Sequence, residues 1–136
     1  MNIFSYLTLK QDTFYLDYKC TIRQALEKLD YYKFSIVPLI DKEGKYVTTI
    51  SIGDILRYIK NKCNFDLASA ETITLNKIEK FRPYKHLKSN SSSEEVYLLA
   101  LEQNFIPIVD DRNMFIGIIK RKDILKSIYS KHLNID

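Results

Sequence analysis

Few residues of this chain have the types and spacing that catalysis or metal binding requires. His86 and His132 each stand alone, outside any HExxH motif or Cys/His cluster. Cys20 and Cys63 fit no metal-ligand spacing, and we expect both to be reduced thiols of a cytoplasmic protein. The three glycines form neither a dinucleotide-binding motif nor a P-loop. We therefore expect no enzyme activity, no catalytic residues and no metal site.

Two aspartates and a short basic run remain as candidates for binding chemistry. Asp54 and Asp123 each stand at the start of an apolar segment with helical spacing, and Lys120–Lys122 directly precedes the second aspartate. A carboxylate accepts hydrogen bonds from the hydroxyls of a diol, and cations near a helix start favour an anion such as phosphate. Each feature also has an ordinary structural interpretation: Asp is favoured at helix starts without any ligand, and a basic run often lies on a solvated face.

Overall charge and hydropathy narrow the classes of partner. The 136 residues are 46% hydrophobic and 28% charged, and 21 basic against 17 acidic side chains give a net charge of +4. This balance predicts a folded domain with room for a small anionic ligand, but not a nucleic-acid partner. No apolar run approaches the roughly 18 residues of a membrane span, and the first residues lack the features of a secretory signal. We expect a cytoplasmic protein with no membrane span.

An internal duplication organises the elements that would position these residues. Residues 38–59 align without a gap on residues 107–128, and the copies share seven identities. The identical pairs are Pro38/Pro107, Asp41/Asp110, Ile50/Ile119, Asp54/Asp123, Ile55/Ile124, Leu56/Leu125 and Ile59/Ile128. The duplication predicts that the two copies adopt the same fold.

Each copy has the pattern of a β-α-β-β-α unit, which places the chain in the α+β class. For the first copy we predict strands Phe14–Tyr18, Phe34–Ile40 and Lys45–Ser51, a helix capped by Thr21 and Gln24, and a helix from about Ile52. For the second we predict strands Tyr84–Leu87, Phe105–Val109 and Met114–Lys120, a helix capped by Ser91 or Ser92, and a helix from about Arg121. Gly44 and Asn113 mark the hairpin turns. The closing helices are expected to bury Ile55, Leu56 and Ile59, or Ile124, Leu125 and Ile128.

The expected domain boundaries follow from the duplication. Residues 1–63 form the first repeat with an N-terminal lead-in, 64–79 a linker with a short helix near Leu75–Glu79, and 80–136 the second repeat. A repeat of this size cannot cover both faces of its sheet. We therefore expect the two repeats to pack sheet to sheet about a pseudo-twofold axis.

The repeated pattern resembles the cystathionine β-synthase (CBS) domain. The pattern is an apolar residue, Pro, two apolar residues and Asp, followed by a turn, a strand and Ser/Thr-x-x-Asp-Ile-Leu. The segments SIVPLIDKEGKYVTTISIGDIL and FIPIVDDRNMFIGIIKRKDIL carry it, and Pro and Asp are sixteen positions apart in both. Two such domains in tandem resemble a Bateman module, here a small stand-alone CBS pair that covers essentially the whole chain.

The resemblance implies two clefts between the repeats, each binding an adenosine compound. The base contacts the start of the first helix and the residues before Pro of one copy, and the ribose contacts the Asp of the other copy. The first cleft would comprise Cys20, Thr21, Ile22, Phe34, Ser35, Lys120, Arg121, Lys122 and Asp123. The second would comprise Ser89, Asn90, Ser91, Gln103, Asn104, Ser51 and Asp54.

The residues favour the first cleft. Phe34 can stack on adenine, or serve as a core residue, and the basic run can bind phosphate. The second cleft has Gln103 in place of Phe34 and no basic run before Asp54. Two positions depart from the family pattern: Lys120 replaces Ser or Thr, and Thr48 stands where the second copy has Gly117.

The resemblance implies a regulatory module that binds AMP, ADP, ATP or cyclic di-AMP as a signal, not as a cofactor. It also implies a homodimer that passes ligand occupancy to a regulated protein of unknown identity. The alternative hypothesis is a dimerisation scaffold whose clefts bind nothing, and the departures at Lys120 and Thr48 favour it.

Overall fold

The computed structural model describes residues 2–79 and 84–133 as two compact units of mixed helix and strand, which confirms the α+β class. Phe14–Tyr84 form the first, which we call the central unit. Met1–Thr13 and Lys85–Asp136 together form the second, which we call the terminal unit.

The strands, in chain order, are β1 (Leu7–Leu9), β2 (Leu16–Asp17), β3 (Ile36–Ile40), β4 (Tyr46–Ser51), β5 (Leu87–Lys88), β6 (Phe105–Val109) and β7 (Phe115–Lys120). The α-helices are α1 (Ile22–Tyr32), α2 (Ile52–Cys63), α3 (Leu67–Ala70), α4 (Ser93–Ala100) and α5 (Arg121–Leu133), and short 3-10 helices cover Ile3–Tyr6, Lys10–Asp12 and Leu75–Lys77.

The central unit is a three-stranded sheet in the order β2-β3-β4, with β2 parallel and β4 antiparallel to β3. Capping boxes start both of its long helices, because Thr21 and Ser51 each exchange hydrogen bonds with the residue three positions on. The core of the unit is apolar and includes the thiol of Cys63. Its buried members are Leu16, Ile22, Ala25, Leu29, Val37, Leu39, Ile50, Ile55, Ile59, Cys63, Ala70, Leu75 and Ile78.

The β3–β4 and β6–β7 hairpins turn in the same way, which explains one of the repeated identities. The Asp41 carboxylate accepts hydrogen bonds from the backbone N–H groups of Glu43 and Lys45, each at 2.9 Å. Asp110 does the same in the second copy. Gly44 and Asn113 have φ of 89° and 64°, as expected of residue types that tolerate the left-handed region.

The terminal unit is a four-stranded sheet in the order β1-β7-β6-β5. The N-terminal strand β1 runs antiparallel to β7, with Leu7 opposite Ile119 and Leu9 opposite Gly117. Gly117 has φ of 151°, and a Cβ there would overlap the carbonyl oxygen of Thr8. The close approach of β1 therefore requires glycine at this position.

Two segments group differently from the boundaries expected from the sequence. The lead-in does not join the first repeat, because residues 7–9 complete the sheet of the second. The segment 64–79 is more than a linker, because Ala70, Leu75 and Ile78 are buried in the central core. The expected helix near Leu75–Glu79 is a 3-10 turn over Leu75–Lys77.

The expectation that Leu56, Leu125 and Ile128 are buried is wrong, because these side chains are 58%, 57% and 52% exposed. Leu56 and Leu125 each follow a buried isoleucine, and consecutive residues of an α-helix point about 100° apart. The terminal core takes only Ile124 from α5, so the later turns of this helix carry their apolar residues at the surface.

Candidate functional site

Asp54 lies at the third position of α2, and its carboxylate is committed to partners within the central unit. One oxygen accepts a hydrogen bond from the backbone N–H of Ser51 at 2.9 Å, while the Ser51 hydroxyl accepts from the backbone N–H of Asp54 at 3.1 Å. Arg57 donates to the other oxygen at 3.3 Å. Asp54 is 9% exposed. Its charge therefore serves a capping box and an ion pair.

Asp123 occupies the corresponding place at the start of α5 and is partnered differently. Its side chain makes no hydrogen bond or ion pair with any residue in 2–79 or 84–133. The half-buried carboxylate faces a cavity of about 460 Å³ within the terminal unit. The lining residues are Ser5, Tyr6, Leu7, Thr8, Asp123 and Ser127. This volume lies in the range of small-molecule pockets, and the carboxylate is available as an acceptor.

The three basic side chains before Asp123 differ in their contacts: one binds the backbone of α4, and two form no ion pair with a described carboxylate. The Arg121 Nε donates to the carbonyl oxygen of Ala100 at 2.7 Å, so this side chain fixes the end of α4. Lys120 is half-buried and Lys122 exposed, and neither ammonium forms an ion pair with a described carboxylate. These two lysines are the cations of the run that remain available to an anion.

Phe34 lies in the turn before β3, with its ring 48% exposed. Its ring stacks on Phe14 with centroids 5.1 Å apart and an interplanar angle of 13°, and Phe14 also contacts Tyr32. The carbonyl of neighbouring Ser35 accepts from the backbone N–H of Ile52 at 2.9 Å, which joins this turn to the start of α2. Phe34 is therefore a partly exposed aromatic face held by a second ring, not a core residue.

Cys20, Thr21 and Ile22 lie where the chain enters α1, and their backbone groups are largely occupied. Ile22 donates to the carbonyl of Ile73 and the carbonyl of Cys20 accepts from Leu75, both at 2.8 Å. The Thr21 N–H donates to the Gln24 side chain at 3.0 Å. The segment that follows α3 therefore covers this turn through the backbone.

A second cavity, of about 320 Å³, opens beside Cys20. It is lined by Asp17, Lys19, Cys20, Gln24 and Lys28. Burial raises the pKa of the Cys20 thiol, and the charge of Lys28 only partly opposes that effect. Cys20 is therefore a protonated thiol at neutral pH, and its neighbours Lys19 and Lys28 bring positive charge to this cavity.

The residues assigned to the second cleft have largely structural contacts. Gln103 is buried, its side-chain oxygen accepts from the N–H of Lys85 at 2.8 Å, and its side-chain nitrogen donates to the carbonyls of Lys85 and Phe105. The carbonyl of Asn104 accepts from Arg121.

The turn before α4 also uses its polar groups locally. The backbone N–H groups of Ser89 and Ser91 donate to the carbonyls of Val109 and Lys88. Asn90 is exposed, and Ser92 rather than Ser91 caps α4.

The two units divide the residues of each expected cleft. Cys20, Thr21, Ile22, Phe34, Ser35, Ser51 and Asp54 lie in the central unit. Ser89, Asn90, Ser91, Gln103, Asn104 and 120–123 lie in the terminal unit. Within the central unit the structure joins Ser51 to Asp54, and Ser35 to the same helix start through Ile52. The residues expected for each cleft are thus divided between the two units.

Sequence reasoning missed the polar residues that share the cavity with Asp123. Ser127 follows Asp123 by one helical turn, a spacing visible in the sequence. Ser5 and Thr8 come from the N-terminal segment, whose short elements leave no periodic signal. The Arg57 partner of Asp54 was also missed, although its spacing of three is typical of helix ion pairs.

Residues 2–79 and 84–133 contain neither a cluster of metal ligands nor a helix that could span a membrane. No group of three or more His, Cys, Asp or Glu is placed to hold a metal among residues 2–79 and 84–133. In the same part of the chain, every helix is too short or too polar to cross a bilayer.

Two copies of a β-α-β-β-α unit, each with an aspartate at the start of its closing helix, define a duplicated α+β protein of tandem repeats. The family model of the CBS domain matches residues 8–61 and 80–130. The chain therefore belongs to the CBS domain family, with two CBS domains in tandem as in a Bateman module.

Known proteins of similar sequence and structure include both archaeal and bacterial members. An uncharacterised protein of Methanocaldococcus jannaschii is 34% identical over 114 residues, which are 82% of this chain and 35% of that protein. A CbpB crystallised in complex with cyclic di-AMP is similar at a TM-score of 0.86 and 28% identity, covering 96% of this chain and 85% of the other. CbpB from Streptococcus agalactiae has a TM-score of 0.80 and 30% identity, covering 92% and 78%. The chain spans 35% or less of the length of the curated relatives it matches.

Proposed function

We propose that this chain is a regulatory module that binds an adenine nucleotide through Asp123, with cyclic di-AMP as the first candidate. One observation carries the proposal: the carboxylate of Asp123 faces a cavity and has no hydrogen-bonding partner among residues 2–79 and 84–133. A ribose hydroxyl donates to such a carboxylate, and a hydrogen bond to a charged group contributes about 1.5–3 kcal/mol.

The adenine ring is assigned to Phe34. This side chain is already held parallel to Phe14 and is half exposed, so a base can extend the stack without a new ring having to be ordered. Stacking of a base on an aromatic side chain contributes about 1–3 kcal/mol. Phe34 and Asp123 both belong to the residues that the CBS resemblance assigns to the first cleft.

The preference for cyclic di-AMP rests on the charge of the site and on one relative. The ammonium groups of Lys120 and Lys122 are not paired with any described carboxylate, and they can each neutralise a phosphodiester oxygen. The similar CbpB was crystallised with this dinucleotide. AMP, ADP and ATP share the base and the ribose and are the competing ligands.

A thermal-unfolding panel tests the proposal. The wild-type chain is heated alone and with cyclic di-AMP, AMP, ADP, ATP or S-adenosylmethionine, with GTP as the control for the base. A ligand at 100 times its Kd adds about 2.7 kcal/mol to the free energy of unfolding, which raises the Tm by several degrees. A selective rise with cyclic di-AMP supports the proposal in full, and a rise with a mononucleotide alone changes the ligand. No rise with any adenine compound overturns it.

The same module is proposed to act in the cytoplasm as a homodimer that reports occupancy to a protein partner, without catalysis of its own. Support for the dimer comes from α5, where Leu125, Ile128, Tyr129 and Leu133 are all exposed. Apolar side chains gathered on one helix are typical of interfaces. Light scattering of the wild type and of Leu125→Arg tests this assignment. A monomeric wild type contradicts it.

One set of contacts favours the scaffold hypothesis for the second cleft. Asp54 is neutralised by Arg57, and the Gln103 amide is saturated by backbone groups. A ligand would have to displace these contacts. We therefore propose one occupied site per chain, and a titration that gives two equivalent sites would contradict this.

A further inference from the structure

The cavity beside Asp123 has a wall that no part of the repeat pattern accounts for. Four of its six lining residues, Ser5–Thr8, come from the N-terminal segment, and the other two come from the first two turns of α5. All six belong to the terminal unit. The segment is held in place by the pairing of β1 with β7 and by the burial of Ile3 and Tyr6 in the core of the unit.

Ser127 is positioned to act together with Asp123. The two residues are one helical turn apart and therefore share a face of α5, and both line the cavity. The Ser127 hydroxyl has no hydrogen bond to another described side chain. A hydroxyl donates as well as accepts, so it can bind a ligand oxygen that the carboxylate would repel.

The hydroxyls at this cavity come from positions other than the Ser or Thr of the repeat pattern. The repeat pattern has Ser or Thr three residues before the aspartate, and Ser51 fills that place before Asp54, whereas Lys120 fills it before Asp123. The Ser51 hydroxyl accepts a hydrogen bond from the backbone N–H of Asp54 and so caps α2. In the terminal unit Lys120 offers no hydroxyl at that place, and the serine and threonine hydroxyls at the cavity belong to Ser127 and to the N-terminal residues.

The N-terminal segment contributes two more hydroxyls. Ser5 donates to the carbonyl of Asn2 at 2.6 Å and keeps its lone pairs as acceptors, while Thr8 lines the cavity from β1. The carbonyl of Thr8 lies against Gly117, so the segment cannot shift without disturbing the β1–β7 pairing. A ligand that contacts Ser5–Thr8 would therefore also stabilise the pairing of β1 with β7.

We infer that Ser127 is a ligand-binding residue that contacts a ribose or phosphate oxygen of the nucleotide held by Asp123, and that residues 5–8, which already line the cavity, also contact this ligand, so that binding stabilises β1 on β7. The inference rests on the proposed function, since it takes the nucleotide at Asp123 as given. It adds a binding residue and a segment whose stability reports occupancy.

Affinity measurements on matched serine variants test the first part. Cyclic di-AMP is titrated calorimetrically into the wild type, Ser127→Ala and Ser130→Ala, the last being an exposed serine of the same helix outside the cavity. Loss of one hydrogen bond predicts a Kd about five-fold weaker for Ser127→Ala, with Ser130→Ala unchanged. Equal affinity for all three proteins overturns the assignment of Ser127, and equal melting of the unliganded variants shows that the fold is retained.

Amide hydrogen exchange tests the second part on the wild-type chain. With saturating cyclic di-AMP, the exchange of amides in residues 7–9 should slow at least several-fold, because opening β1 would then also require loss of ligand contacts. Unchanged exchange in this segment while the ligand binds overturns the contact between residues 5–8 and the ligand but leaves the proposed function intact. If no adenine nucleotide binds the wild type at all, the proposed function and this inference both fail.

Discussion

Asp54 and Asp123 are the same residue in the two copies of the duplication, but their carboxylates differ in their hydrogen-bonding partners. Both stand at the third position of a closing helix, but the residue three before is Ser51 in one copy and Lys120 in the other. The residue three after is Arg57 in one and Lys126 in the other, and only Arg57 pairs with its aspartate. A repeated acidic residue therefore becomes a cap or an available acceptor according to its neighbours on the same helix.

The two sheets differ in a related way. Strand β7 accepts β1 along one edge, whereas the central sheet has no strand beyond β4 among the described residues. Gly117 permits the close approach of β1. Its counterpart Thr48 lies on β4, which no further described strand approaches, so a side chain is tolerated there. The replacement of glycine by Thr48 thus reflects sheet architecture, and we do not attribute it to a ligand.

The largest expected effect comes from removing the glycine that distinguishes the two sheets. Gly117→Ala places a Cβ against the Thr8 carbonyl at a φ that side chains rarely adopt. The free energy of unfolding should fall by about 3 kcal/mol. Urea unfolding measures it, with Thr48→Ala as the control in the corresponding position. Equal losses in both variants would show that the two sheets do not differ here.

The exchange of either aspartate should separate ligand binding from stability. Asp123→Ala should abolish the rise of about 2.7 kcal/mol that a saturating nucleotide gives, and should barely change the unliganded protein. Asp54→Ala should keep the ligand effect but lower the unliganded free energy of unfolding by about 1–2 kcal/mol, since a cap and an ion pair are lost. Thermal unfolding with and without cyclic di-AMP measures both, and the reverse order would assign the site to Asp54.

A third comparison sets Gln103 against its counterpart Phe34. Gln103→Leu leaves an N–H and two carbonyls without their partner and should cost about 2 kcal/mol of stability. Phe34→Leu removes one stacked contact at the surface and should cost about 0.5–1 kcal/mol, while weakening nucleotide binding. Chemical denaturation ranks the two. A larger loss for Phe34→Leu would mean that this ring is part of the core.

The last comparison concerns Tyr46, whose counterpart in the second copy is Phe115. Burial raises the pKa of Tyr46 to about 12, and its hydroxyl pairs with Thr49 at 2.8 Å. Tyr46→Phe should cost about 1 kcal/mol near neutral pH through this hydrogen bond.

The pH dependence of the same variant has a defined sign. The unfolded chain loses the Tyr46 proton from about pH 10 and the folded chain only near pH 12, so this residue makes stability fall with rising pH between those values. Tyr46→Phe should lack that part of the alkaline loss in urea unfolding at several pH values. An identical alkaline decline in both proteins would contradict the burial of the ionisable hydroxyl.

The duplication allowed much of the fold to be predicted from the sequence. The capping residues Thr21 and Ser92, the turns at Gly44 and Asn113 and the strand Phe105–Val109 are local features, and the structure confirms them. Strand β1 was not predictable, because three residues carry no periodicity and their partner is distant in the chain.

The candidate site was less accessible to sequence reasoning. The pattern found both aspartates, but whether a carboxylate is free depends on side-chain rotamers such as that of Arg57. It also paired Gln103 with Phe34 by position, although one is buried under backbone contacts and the other exposed. The assignment of residues to clefts stays a prediction, and the available carboxylate of Asp123 supports its first half.

The pairing of β1 with β7 sets an order of events during synthesis. The central unit is one uninterrupted stretch and can fold while the remainder of the chain is still being made. Leu7–Leu9 are translated before the central unit but can pair only after Phe115–Lys120 has been made, and the chain segment between the two strands contains the whole central unit. A nascent chain that stops before β7 therefore carries an unpaired strand, a form prone to aggregation.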